Sequence, residues 1–310
     1  MRTFIVLTTL FLFSVPLHAE APQKLSADKE RIIKTVRFLS EENFPRSAIL
    51  TNKEKTIAYI AKSLSAAGLD VARNEFGTEF HKETFTNIHA LKKGTTNKRI
   101  IVGAHYDILP ESPGADDNAS GIAALIELAF MLKKTPPLNC DVEFVSYDAE
   151  ELGLLGSRFH VKQLKEQKVD VVCMLALDLV GYYSEKEHSQ SYPVAGMSLL
   201  YGTKGDFLAM IGRAEDMKLL GEAQKVWQKA TTLRILSLPS PKGFDLLLSR
   251  SDHAPFWWEG IPALFFTDTA DFRSKHYHEK TDTWNTLDYD RLAQVPVGLY
   301  HVLLMIDGVK

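Results

Sequence analysis

Several things are scarce in this chain, and each scarcity excludes a class. Only two cysteines occur among 310 residues. Cys140 and Cys173 both fall in apolar runs, so the fold does not rest on a disulfide framework and two buried free thiols are expected. Neither sign of charge dominates: 36 Lys and Arg against 39 Asp and Glu leave a formal net charge of −3. That balance argues neither for a nucleic-acid partner nor for an anionic membrane surface. No apolar run reaches the ~20 residues that span a bilayer. Repeats, low-complexity tracts and flexible linkers are absent. What remains, 45% hydrophobic and 24% charged residues, is the composition of a soluble globular protein of one large domain or two small ones.

The first residues, MRTFIVLTTLFLFSVPLHA, place one Arg before a short apolar stretch that ends in small or neutral residues. This pattern predicts a signal peptide over 1–19, cut after Ala19, with export to the periplasm or the medium and no membrane attachment after cleavage. Residues 20–310 read as a single domain. Helical periodicity marks LSADKERIIKTVRFLSEE and KEKTIAYIAKSLSAAGL, the second closed by Gly68. Strand-like segments follow at TFTNIHALKK, KRIIVGAHY, CDVEFVSYDAEE, VDVVCMLALDLVG and GIPALFFTD, with helical stretches expected at 119–133, 155–167 and 204–219. Such alternation predicts an α/β fold: a mixed, mostly parallel β-sheet covered by helices on both faces. The irregular segment 183–258 is expected to form a rim above the sheet.

Acid and histidine collect just past the ends of these strands, where open α/β sheets bind their ligands. IVGAHYD delivers His105 and Asp107, two residues apart and so on one side of a continuing strand. Asp107 is then placed to hold the imidazole through its second nitrogen, as is usual behind a metal-bound histidine. GADDNASG opens a helix with Asp116, Asp117 and Asn118. A helix cap needs one of them, which leaves at least one carboxylate for another role. DAEELG supplies Glu150 and Glu151, adjacent and therefore diverging. Asp178 is the only acid in VVCMLALDLVG, a run with no Lys or Arg to pair it, and a lone buried carboxylate is costly unless paired or bound to a metal. SKHYHEKTDTW adds His276 and His278 in a polar loop.

Any one of these motifs has a bland explanation; together they assemble two histidines and at least three carboxylates at strand ends. Three carboxylates are balanced by two divalent ions and one bridging hydroxide. Mixed imidazole and carboxylate donors suit zinc, with manganese or cobalt as alternatives. Two such ions about 3.5–4 Å apart would activate a water and polarise a carbonyl.

In this order HYD, GADDNASGIAA, DAEELGLLGS, LDLVG, SDHAPF and YHEKTDT resemble the M28 family of zinc metallopeptidases, the bacterial leucyl-aminopeptidase-like group. The resemblance covers most of residues 30–305. It implies two Zn²⁺ ions per chain, with His105 and Asp178 on the second zinc, Glu151 on the first and Asp117 bridging. His278 is implied as the last ligand because it stands four residues before Asp282; His276 does not. Glu150 is implied as general base and Asp107 as the group behind His105. A metallo-exopeptidase acting on a peptide with a free N-terminus follows. Phe244, Phe256 and Trp257 are candidate walls of a pocket for an apolar first side chain, although such aromatics are more often simply core. Two other readings compete. Glutaminyl cyclase, a transferase on the same fold, resembles the AHYD and SDHAPF segments and would use one zinc. A catalytically inactive binding homologue would have lost ligands, and all five are present.

Overall fold

The computed structural model describes residues 25–48, 53–240 and 248–308. The expected signal peptide lies outside them. Eight strands form one sheet: β1 Asp70–Phe76, β2 Phe85–Lys92, β3 Lys98–His105, β4 Asp141–Tyr147, β5 Asp170–Leu177, β6 Phe207–Arg213, β7 Arg234–Ser240 and β8 Ala263–Thr267, in the order β1-β2-β4-β3-β5-β8-β6-β7. Strands β4, β3, β5 and β8 are consecutive neighbours and mutually parallel. Their carboxyl ends therefore lie side by side along one edge of the sheet. The flanking pairs β1/β2, β2/β4 and β6/β8 are antiparallel.

Period-two alternation sends each central strand's side chains to both faces. Ile100, Val102 and Ala104 of β3, with Cys173, Leu175 and Leu177 of β5, pack into the larger core. Ile101, Met174 and Ala176 point into the smaller one. The larger face is covered by α1 Lys29–Arg37, α2 Lys53–Ala66, α3 Gly121–Leu132, α6 Met217–Ala230 and α9 Gln294–Asp307, after the short α5 Met197–Tyr201, α7 Ala254–Trp258 and α8 Tyr289–Leu292 are counted in chain order. The opposite face carries α4 Leu155–Glu166 and α7. Helix α3 is apolar nearly all round because it is sandwiched between the sheet and α1 and α9. This is the single α/β domain with a mixed, mostly parallel sheet that the segment alternation predicts. Cys140 and Cys173 are free and buried, also as expected.

Two expectations are corrected. Residues 204–219 are not a helix: Phe207–Arg213 is a strand buried between β8 and β7, and the helix starts at Met217. FLAMIGR is a short apolar run that periodicity cannot assign, and its burial on both faces selects the strand. Segment 183–258 is likewise not merely a rim, since it supplies β6, α6 and β7, one end of the sheet. Strand β1, with alternating Val71, Arg73 and Glu75 at an exposed edge, carries no apolar stripe and leaves no mark in the sequence pattern.

Candidate metal centre

The carboxyl edge of the four parallel strands gathers the acidic motifs. His105 ends β3, paired with Tyr147 of β4. Its Nδ1 lies 3.2 Å from the carbonyl oxygen of Asp107 and 3.6 Å from Asp107 Oδ1. That turns Nε2 toward Asp117 Oδ1 at 3.3 Å and Asp178 Oδ1 at 3.2 Å. Asp107 also reaches the next strand, since its carboxylate accepts the backbone N–H of Glu150 at 3.0 Å and of Glu151 at 3.3 Å. One buried acid thus ties the end of β3 to the turn after β4.

Asp117 sits in a loop held from outside. The Asp282 carboxylate accepts the N–H groups of Asp116 (2.9 Å) and Asp117 (3.1 Å). Asn118 donates from Nδ2 to the carbonyl of Leu177 at 2.8 Å and accepts the Gly121 N–H at 3.0 Å. Gly114 opens the loop with φ +64, and a Cβ there would meet the Asp117 oxygen at 2.3 Å. The chain therefore requires glycine at this bend.

His278 Nε2 reaches Asp117 Oδ2 at 3.1 Å and Glu151 Oε2 at 3.5 Å, with its ring stacked on Tyr277. His276 turns away, its Nδ1 2.8 Å from Thr281 Oγ1. Two donor sets result, His105 with Asp117 and Asp178, and Asp117 with Glu151 and His278; in each, the ligand atoms lie within 4.8 Å of one another. Asp117 belongs to both and turns one oxygen to each. Glu150 belongs to neither, although it is buried and lines the same cavity of about 430 Å³ as Asp117, Glu151, Asp178 and His278.

The electrostatics fit a cationic occupant. Burial pushes Glu150 well above the usual carboxyl range and Glu151 up to about 9, and the surrounding acids add to both shifts. Asp178 is raised as well, chiefly by burial. Burial works against ionisation of Asp117 too, but hydrogen bonding to His105 and His278 outweighs it and holds this carboxyl low. His105, despite burial, is raised far above a free imidazole by Asp178, Glu150, Asp107 and Asp117. Nothing in the sequence pattern points to Arg46, a buried cation behind the site. Its guanidinium is spent on the carbonyls of Tyr106, Leu39, Pro113 and Gly114 at 2.6–3.0 Å, bracing the site's backbone instead of pairing its acids. The surplus negative charge, on oxygen and imidazole nitrogen donors, is what divalent ions neutralise. Asp252 of SDHAPF, also buried and pushed up to about 7 by that burial, adds to the surplus.

A second cavity of about 440 Å³ opens beside the first and shares Asp178, Arg250 and Tyr277 with it. Its walls are apolar, from Met197, Leu200, Phe207, Ile211, Leu238 and Phe265. Of the aromatics expected from sequence as pocket walls, Phe256 and Trp257 are instead buried in the smaller core, where Trp257 Nε1 donates to the Ala263 carbonyl at 3.0 Å. Their helix covers the sheet face, and burial there outweighs exposure at a rim. Phe244 lies outside the described residues.

Comparison with known proteins agrees with this geometry. Residues 87–302 of 310 match peptidase family M28. YfbL of Escherichia coli (strain K12), described as uncharacterized, is 34% identical over 315 residues, covering 97% of this chain and 95% of its own. The aminopeptidase YwaD of Bacillus subtilis (strain 168) is 32% identical over 69% of this chain, which spans only 43% of YwaD. Among solved structures, BSAP, a zinc aminopeptidase from Bacillus subtilis, aligns with a TM-score of 0.73 at 20% identity over 91% of this chain and 96% of its own. A glutaminyl cyclase of Fimbriiglobus ruber aligns at 0.67 and 21% identity over 93% and 98%. The chain belongs to peptidase family M28, a family of zinc metallo-exopeptidases.

Proposed function

We propose that this protein is an exported, zinc-dependent aminopeptidase that hydrolyses the first peptide bond of substrates with a free N-terminus and an apolar first side chain. The observation that carries this reading is the pair of donor sets joined through Asp117, with the buried Glu150 outside both and the apolar cavity alongside. His105, Asp117 and Asp178 would hold one zinc ion; Asp117, Glu151 and His278 would hold the other. Bound zinc polarises a scissile carbonyl and lowers the pKa of water toward neutrality.

The protein's own groups do the rest. Glu150, free of the ions, accepts the proton of the attacking water and returns it to the leaving amine. Asp107 is a positioning residue that sets the His105 ring and, through two N–H bonds, the backbone of Glu150 and Glu151. The acids around the cavity receive the substrate's α-ammonium group, and the apolar cavity receives its side chain. Among the described residues no helix is long and apolar enough to cross a membrane. The proposal of export rests on the pattern of residues 1–19, and a mature chain beginning at Glu20 in the periplasm or medium is its test.

Amino-acyl p-nitroanilides, their amino-blocked counterparts and a peptide with N-terminal glutamine decide the activity. Release from free leucyl and phenylalanyl substrates, with none from blocked ones, is expected. Cyclisation of the glutaminyl peptide without cleavage would establish the cyclase reading instead, which the second donor set disfavours.

A further inference from the structure

Away from the carboxyl edge, in the middle of the sheet, three side chains from three elements converge. They are His89 of β2, Glu143 of β4 and His160 of α4, and their ligand atoms also lie within 4.8 Å of one another. We infer that they form a separate site for one divalent transition-metal ion, accessible from solvent and independent of the peptidase centre.

Each imidazole aims a nitrogen at the same carboxylate. His89 Nδ1 is 2.8 Å from Glu143 Oε1, and His160 Nε2 is 3.6 Å from Glu143 Oε2. The second separation is too long for a hydrogen bond. It lies near the spacing of about 3.3 Å between adjacent ligands of a tetrahedral ion with bonds of about 2.0–2.1 Å, and the 2.8 Å hydrogen bond of His89 would open by about 0.5 Å to admit the ion. Tyr147 Oη lies 3.0 Å from His160 Nδ1, so the far nitrogen of that ring is occupied and Nε2 is left for the cleft. This is the outer hydrogen bond that orients a metal-bound imidazole. A cavity of about 210 Å³, lined with Asn74, Gln163 and Gln167, opens onto all three side chains and leaves room for ion entry and a water ligand.

One neighbour limits the affinity. Arg99 lies 3.0 Å from Glu143 Oε2 and 3.5 Å from Asp141 Oδ2. A carboxylate offers about four lone-pair sites, so Arg99 on Oε2 leaves Oε1, which faces His89 Nδ1 at 2.8 Å, with a lone pair for the ion. Its charge nevertheless repels a dication, so this ion is the first that a chelator removes.

The test counts Zn²⁺ bound by the full chain at equilibrium with excess free Zn²⁺, by isothermal titration, for wild type, His89→Gln and His160→Gln. The expected result is one ion fewer per chain in each variant, with unchanged hydrolysis of a leucyl p-nitroanilide. Equal counts in all three overturn the inference, whatever the total is, so failure of the dinuclear reading remains distinguishable. Wild-type crystals grown with Zn²⁺ and recorded at the zinc edge need no variant. An anomalous peak among His89, Glu143 and His160 supports the site, whereas peaks confined to the carboxyl edge overturn it.

Discussion

Two groups of histidine and carboxylate stand in this sheet, and they balance their charge in different ways. At the carboxyl edge, Asp107, Asp117, Glu150, Glu151 and Asp178 meet two imidazoles and an arginine that donates four hydrogen bonds to carbonyls. In mid-sheet a single acid, Glu143, meets two imidazoles and Arg99. The consequence appears in their protonation. Burial raises Glu150, Glu151 and Asp178, whereas Glu143, although buried, is held far below the usual carboxyl range by His160 and His89. The same residue types thus build one site that is deficient in positive charge without ions and one that is nearly neutral without them. Ion affinity should follow that difference: strong at the edge, weak in mid-sheet.

The two groups should differ most at Glu150. Glu150→Ala is expected to keep its metal and lose roughly 10²–10⁴ in kcat, the usual contribution of a general base. Glu143→Gln, outside the machinery, should leave kcat near wild type. Zinc content and kcat measured together decide this; an active Glu150→Ala with normal metal would move the base elsewhere.

Ligand and bystander separate next. Glu151→Ala and His278→Ala should each lose occupancy of one edge ion, with activity falling as a result. His276→Ala, whose ring bonds Thr281, should hold its metal. Elemental analysis that ranked His276 above His278 would show the last motif misassigned.

A smaller effect tests the apolar cavity. Leu238→Trp fills part of it. The expected outcome is a fall of roughly tenfold in kcat/KM for phenylalanyl substrates, with alanyl substrates little affected. Equal losses on both would remove the cavity from the specificity argument.

The smallest effect concerns pH. In the metal-free protein Glu151 is pushed up to about 9, Asp252 and Asp282 to about 7, and Asp148 and Asp268 to about 6, in each case first of all by burial. The folded state then keeps protons that the unfolded chain has released, so stability is full below about pH 4 for these groups and is lost as pH rises through their folded values. Chelator-treated protein should therefore melt several degrees lower at pH 9 than at pH 5, and zinc should flatten the slope by keeping Glu151 ionised. A metal-free Tm that rises with pH over this range would contradict the surplus of buried acid.

Much of the site was legible because its residues stand where local rules make them conspicuous. Asp178 is visible as the one acid in an apolar strand, and His105 with Asp107 as polar residues closing another. The alternation of strands and helices announced the sheet. Other parts gave no signal. Arg46 works through four carbonyls, three of them distant in sequence, and His89, Glu143 and His160 each read as an ordinary polar residue in its own segment. FLAMIGR read as helix because so short an apolar run has no distinguishing period.

The sequence by itself determined the α/β class, the strands that end in acid and the order in which the donors arrive, since hydrophobic alternation and isolated buried charge are properties of short segments. The family resemblance already implied that Asp117 bridges and that Glu150 is no ligand; only the tertiary structure decided which Asp117 oxygen faces which histidine, that Phe256 and Trp257 lie in the core and not at the pocket, and that His89, Glu143 and His160 meet in mid-sheet. The reason is physical. Which oxygen faces which nitrogen depends on parallel strands ending side by side and on loops pinned by Asp282, Asn118 and Arg46, and those contacts join residues far apart along the chain.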